Sequence, residues 1–283
     1  MKETFYFLVF FMVSIAFVSC CVNQEKNVSE GNVSSFTLHE VTKTTLIPPE
    51  AKDNSSGVDE ISWMIENGQL DQALVLAQKN ATPQVLAYLN NAGVNYTRDK
   101  RYEDADKIFT RILDIDPKQP DIWYNKGFVA AKLGRYDEAL MAYSRDTDLK
   151  PDDSEAWYQK ASSLYYLKRY DEAVDACNRS LTLEPKNPYA WYNLGIALTE
   201  LKRFNESINA YDKALSIKPD YAEAENNKGN ALSELGRYKE AIAAYDRALA
   251  IRDDEQTKKN REIAQTKYNE TKQASFQNIS LSS

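Results

Sequence analysis

The chain has 283 residues, 27% of them charged and 11% aromatic, with only 9 Gly and a net charge of −7. That composition suits a helical body with enough apolar residue for a long core, and the acidic balance argues against nucleic-acid binding, which needs a basic face. The single histidine, His39, and the cysteines Cys20, Cys21 and Cys177 stand in no metal-ligand or disulfide-framework spacing, so neither a metal site nor a Cys/His nucleophile pair is expected.

Residues 5–18 form an almost unbroken apolar run behind Lys2. The run is shorter than the roughly 20 residues of a membrane span and suits the core of a signal peptide. It ends in Phe17-Val18-Ser19-Cys20, which resembles the lipobox of prokaryotic lipoproteins, with Phe17 where Leu, Val or Ile is usual. The resemblance implies a leader over residues 1–20, a lipid on Cys20, and a chain held on the extracytoplasmic face of the cell membrane. An uncleaved short anchor and free secretion are the rival readings.

Residues 21–57 carry no hydrophobic period and contain the breakers Pro48-Pro49 and Asn54-Ser55-Ser56-Gly57. Such a segment cannot bury enough apolar surface to offset its ordering entropy and reads as a flexible linker. Its reach would be on the order of 30 Å. Nine Asn-x-Ser/Thr sequons begin at Asn27, Asn32, Asn54, Asn80, Asn95, Asn178, Asn205, Asn269 and Asn278. Chance gives roughly 2 to 3, so the excess favours an exported chain. Asn95 is discounted, because the repeat described next puts it at a helix junction.

Within residues 120–221 one pattern is written three times at a spacing of 34 residues. Trp123, Trp157 and Trp191 open the copies. Pro151, Pro185 and Pro219 close them, and Pro117 closes an earlier one. Between these marks recur Arg135-Tyr136-Asp137-Glu138-Ala139, Arg169-Tyr170-Asp171-Glu172-Ala173 and Arg203-Phe204-Asn205-Glu206-Ser207. A fixed period of this size means stacked supersecondary units. In residues 188–221 the first helix shows Trp191, Leu194, Gly195 and Leu198 on one face, and the second shows Ser207, Ile208, Tyr211, Ala214 and Leu215. Small residues at Gly195 and Ser207 let the two helices approach.

This pattern resembles the tetratricopeptide repeat, a helix–turn–helix unit. The small-residue position reads Gly93, Gly127, Ala161, Gly195 and Gly229, and the turn aromatic reads Tyr102, Tyr136, Tyr170, Phe204 and Tyr238. Five full repeats result, at 86–119, 120–153, 154–187, 188–221 and 222–255. Residues 58–85 echo the unit as a degenerate first repeat, and residues 256–283 suit a polar capping helix and tail, which solenoids need to end their core. The resemblance implies an all-α, right-handed superhelical solenoid. One place breaks the pattern. Where later repeats carry Ser180-Leu181, Ala214-Leu215 and Ala248-Leu249, the second carries Asp146-Thr147. An unpaired buried carboxylate is costly, so the helix is expected to end early and expose Asp146, the rival reading being that Asp146 finds donors within the stack.

The family's concave groove is lined by the first helices and holds peptides or helices, which here implies a protein or peptide partner. Carried onto this chain, the groove candidates form a tyrosine ladder, Tyr124, Tyr158 and Tyr192, beside an amide ladder, Asn91, Asn125, Gln159, Asn193 and Asn227. Phe128, Tyr165 and Tyr166 add aromatic surface suited to recognition. Arg98 and Lys132 mark one half of the groove; Glu200, Glu223 and Glu234 mark the other. Some family members clamp carboxy-terminal peptides with Lys, Asn and Arg. Asp121, Glu155 and Glu223 occupy the place of one clamp lysine, which argues against that use.

No paired carboxylates, nucleophile with base, or phosphate-cradling loop is apparent, so no enzyme activity and no cofactor are expected. The recurring Asp137-Glu138 and Asp171-Glu172 suit solvated helix starts, and Cys177 suits a buried thiol. The reading is a non-catalytic interaction scaffold tethered to the membrane through its N-terminal anchor. The alternatives are a cell-envelope assembly part acting through self-association and an accessory domain of an envelope enzyme complex.

Overall fold

The computed structural model describes residues 55–281. The leader, Cys20, nearly all of the linker, and Asn27, Asn32 and Asn54 lie outside the described residues. Thirteen helices and no strand are found among those described. They come in pairs: α1 (Ser55–Glu66) with α2 (Leu70–Lys79), α3 (Pro83–Arg98) with α4 (Tyr102–Ile115), α5 (Pro120–Lys132) with α6 (Tyr136–Leu149), α7 (Ser154–Tyr166) with α8 (Tyr170–Leu183), α9 (Pro188–Glu200) with α10 (Phe204–Ile217), and α11 (Ala222–Glu234) with α12 (Tyr238–Ile251). A last helix, α13 (Glu255–Leu281), stands alone. From α3 onward each helix packs on the next in the chain, and first helices touch the first helices of neighbouring repeats. The result is an all-α solenoid of helix–turn–helix units. Helix α1 begins at Ser55, just inside the stretch expected as linker.

Local chemistry sets the boundaries. Pro83, Pro120 and Pro188 sit in the first turns of α3, α5 and α9, where a missing N–H costs nothing. The Asp153 side chain caps α7 by accepting from the Ala156 N–H at 3.1 Å, and Asn187 accepts from Tyr189 and Ala190 at 3.0 and 3.2 Å. The turn inside each full repeat is a Schellman motif. Its left-handed residue is Lys100, Gly134, Lys168, Lys202 or Gly236, with φ of 61°, 74°, 60°, 58° and 72°. The next residue, always Arg, sends its N–H back to a carbonyl in the first helix, for example Arg169 to Leu164 at 2.9 Å.

Packing between the paired helices rests on one close approach. A Cβ placed on Gly195 would lie 2.5 Å from Cε1 of Tyr211, and one on Gly229 would lie 2.6 Å from Cε1 of Tyr245. Gly127 meets Tyr143, and Gly93 meets Phe109, in the same way. The third repeat keeps Ala161 at the small position, and there the opposed residue is Cys177 rather than an aromatic. Both are buried, and burial pushes the Cys177 thiol pKa up to about 12. Successive repeats are tied by the tryptophans. The indole N–H of Trp123, Trp157 and Trp191 donates to the carbonyls of Pro117, Pro151 and Pro185 at 2.8, 3.0 and 2.9 Å. In the fifth repeat Glu225 takes the tryptophan's place, accepting from Arg247 at 2.7 Å.

Two expectations are corrected. Helix α6 runs unbroken to Leu149 and Asp146 is fully buried, not exposed. The helical ladder continues through it, with the Lys150 N–H on the Asp146 carbonyl at 2.7 Å, and Thr147 turns its hydroxyl to the Ser144 carbonyl at 3.0 Å. Position in the stack decides this burial: Ile112, Ser180 and Ala214 occupy the same place and are equally buried. Asn95 is exposed, and accepts from Arg98 at 3.3 Å. Asn80, Asn178, Asn205 and Asn269 are also exposed.

Helix α13 stands where a sixth repeat would place its first helix. Thr257 and Ala264 are buried on one face. Asn260 donates to Asn230 and Thr257 to Asn226, both at 3.2 Å. Asp254 caps the helix, and hydrogen bonding from the Thr257 hydroxyl holds its carboxyl below the usual range. Apart from the exposed Ile263, the outward face of residues 255–274 is polar.

A left-handed conformation strains any residue with a Cβ. Lys168→Gly and Lys202→Gly should therefore each stabilise the protein by about 0.5–1 kcal/mol, with Gly134→Ala costing a similar amount. Thermal melts check this; unchanged or lowered midpoints for both lysine variants would contradict it.

Candidate functional site

The first helices α3, α5, α7, α9 and α11 lie side by side, and their shared face carries every groove candidate. The tyrosine ladder is largely interior. Tyr124, Tyr158 and Tyr192 are only 7%, 8% and 2% exposed. Tyr124 packs edge-on against Tyr143 and donates to Glu155 at 3.4 Å. Tyr192 packs against Tyr221, ring centroids 4.8 Å apart. Burial raises the pKa of all three phenols, which stay neutral at physiological pH.

The amide ladder stitches repeats together. Asn125 donates to Asn90 at 3.3 Å, Asn193 to Ser162 at 3.0 Å, and Asn227 to Tyr192 at 3.1 Å, each across a repeat boundary. Gln159 instead donates to Glu155 within α7 at 3.0 Å. Asn91 is half-buried, and its Oδ1 has no hydrogen-bond partner among the described residues.

All the charged candidates but Glu223, which stands in the first turn of α11, sit at the edge where the first helices end. Arg98, Lys132, Glu200 and Glu234 are exposed. The Lys132 ammonium lies 5.1 Å over the buried Phe128 ring, and partial burial lowers its pKa. Glu223 is engaged by Arg252 at 2.6 Å, so the acidic half of the groove rests on Glu200 and Glu234. Neither of these has a cationic partner among the described residues. Glu200 accepts from the Tyr165 hydroxyl at 3.4 Å.

Two further tyrosines join the site. Tyr136 stacks on Tyr166 with centroids 4.3 Å apart and planes 12° apart. Tyr165 meets Tyr166 edge-on at 5.7 Å and Tyr170 at 5.6 Å. Tyr136 and Tyr170 read in sequence only as turn aromatics. The signal that they do more was the adjacent pair Tyr165-Tyr166, which places rings beside both turns. The four rings form a half-buried wall that ends at Glu200. Burial lifts the Tyr166 pKa to about 12, so the wall offers flat faces and neutral hydroxyl donors, chemistry suited to peptide and cationic groups.

The architecture is that of a helical-repeat interaction module. Three family models, each described as tetratricopeptide repeat, match residues 96–162, 154–187 and 187–254. The chain is a tetratricopeptide-repeat protein. No curated protein matches it significantly. Among solved structures, MamA from Desulfovibrio magneticus RS-1 is similar at 21% identity and TM-score 0.57, over 59% of this chain and 94% of that one. A further MamA structure shares 24% identity, TM-score 0.55, over 56% and 93%. YrrB, described as a TPR protein with an unusual peptide-binding site, shares 18% identity, TM-score 0.55, over 60% and 88%. At these identities the likeness concerns the fold.

Proposed function

We propose that this protein is a non-catalytic scaffold that binds a peptide or protein segment along the face of its first helices, and that its N-terminal segment tethers it outside the cytoplasmic membrane. The observation that carries the reading is the wall of Tyr136, Tyr166, Tyr165 and Tyr170 ending at Glu200, with Glu234 beyond it. The stack closes its core with the buried tyrosines and glycine contacts, and this edge is surplus to that need. The peptide-binding site named for YrrB is in keeping with such a use. Charge gives the bound segment a direction: its basic end lies by Glu200 and Glu234, its acidic end by Arg98 and Lys132. The tether rests on the apolar run 5–18 and on Cys20 after Phe17-Val18-Ser19.

Peptides selected from a displayed library on the full chain should carry clustered Lys or Arg. The pair Glu200→Lys and Glu234→Lys should weaken them about tenfold at low salt, some 1.4 kcal/mol. Unchanged affinity of the selected peptides at low salt would contradict the groove reading. For the tether, cells fed a labelled fatty acid should label the native chain and not the Cys20→Ser variant; a native chain that takes up no label would sink the lipid anchor.

A further inference from the structure

A second surface, made by the second helices and separate from the groove, carries its own cleft. Its floor is the α9 face bearing Trp191, Leu194 and Leu198, its walls are α8 and α10, and its volume is about 350 Å³.

At this cleft a leucine stands where the flanking furrows carry a lysine. At the seventh position of a repeat, the chain carries Lys126, Lys160, Leu194 and Lys228 in repeats two to five. Each of these residues lies in the furrow between the second helix of its own repeat and that of the preceding one. Lys126 fills its furrow by bonding Asp106 at 2.8 Å and Thr110 at 2.7 Å. Lys228 fills its own by pairing with Asp212. Lys160 folds its ammonium over the Trp157 ring at 4.7 Å. At the third such junction Leu194 is too short to cross, and Asn178 stands where Asp212 stands one repeat later. The furrow stays open with Val174 and Ala210 on its sides.

What would enter is set by shape and charge. The volume lies at the small end of ligand sites, roughly 300–1,000 Å³, and takes a single ring rather than the apolar face of a helix. The Trp191 indole is pre-oriented by its 2.9 Å bond to the Pro185 carbonyl, so its face is presented at no rotamer cost. At the rim Arg203 and Glu206 neutralise each other through two hydrogen bonds of 2.8 and 2.6 Å. Lys213, also at the rim, has no anionic partner among the described residues. We propose that this cleft is a docking site for one aromatic side chain of a partner protein, with a carboxylate beside that side chain meeting Lys213.

The probe is N-acetyl-tryptophan, which joins an indole to a carboxylate, titrated into the isotope-labelled full chain. The chain has 4 Trp, so four indole N–H signals report separately. The expected result is a saturable shift of the Trp191 signal alone, with the uncharged N-acetyl-tryptophan amide binding about threefold more weakly. The pair Leu194→Lys and Asn178→Asp copies the Lys228–Asp212 arrangement, which this fold already accommodates. It should abolish the shift without lowering the melting temperature. Should that variant misfold, the exposed Lys213→Glu substitution should erase the preference for the acid over the amide. A silent Trp191 signal, equal shifts at Trp123 and Trp157, or a shift that survives in the folded double variant would overturn the proposal. A Trp191 shift that follows protein concentration without added probe would assign the cleft to a second copy of this chain and also overturn it.

Discussion

The structure depends on how closely two helices of one repeat approach, and that distance is set by a missing Cβ. Gly195 against Tyr211 and Gly229 against Tyr245 leave no room for a methyl group. The aromatic ring fills the space a Cβ would need and seals the interior of the repeat, a buried ring contributing a large share of the core's apolar burial. Where the glycine is replaced, the ring goes too: Ala161 faces Cys177. The two positions behave as one packing unit. Tryptophan indoles bonded to proline carbonyls then fix repeats two, three and four each on the one before.

This division of labour explains where recognition can sit. On the first helices, Tyr124 and Tyr192 are buried, and Asn125, Asn193 and Asn227 are used up in bonds between repeats. The edge where the first helices end is under no such demand, and there residue choice drifts from Arg98 and Lys132 through Tyr166 to Glu200 and Glu234. The furrows between second helices follow the same logic. In repeats two to five a lysine occupies three of them, and the one with Leu194 in its place has an apolar floor and a polar rim.

The fold was legible from the sequence because its determinants are periodic: Trp, Gly, the turn aromatic and Pro return every 34 residues. The C-terminal segment read in sequence only as a polar, helix-prone cap; the face that Thr257, Asn260 and Ala264 turn to the last repeat became visible in the structure. Residues whose environment is set by the neighbouring repeat were not legible. Asp146 looked exposed because a carboxylate prefers water, yet its place in the stack is buried whatever residue occupies it. The tyrosine ladder looked like groove surface because ladder position says which face a residue is on, not how deeply the next helix covers it. Tyr136 and Tyr170 joined the candidate site only through contacts with Tyr165 and Tyr166, between residues on different helices.

The coupling of the small position to the ring is most directly tested in the third repeat, which departs from the others. Cys177→Tyr alone should overpack against the Ala161 methyl and cost about 1–3 kcal/mol. Ala161→Gly alone should cost about 1 kcal/mol in helix propensity. Measured by denaturant unfolding, the double variant should recover the pairing used by its neighbours, with a favourable coupling of about 1 kcal/mol or more. Strictly additive losses would contradict the claim that a missing Cβ and a ring set the helix spacing together.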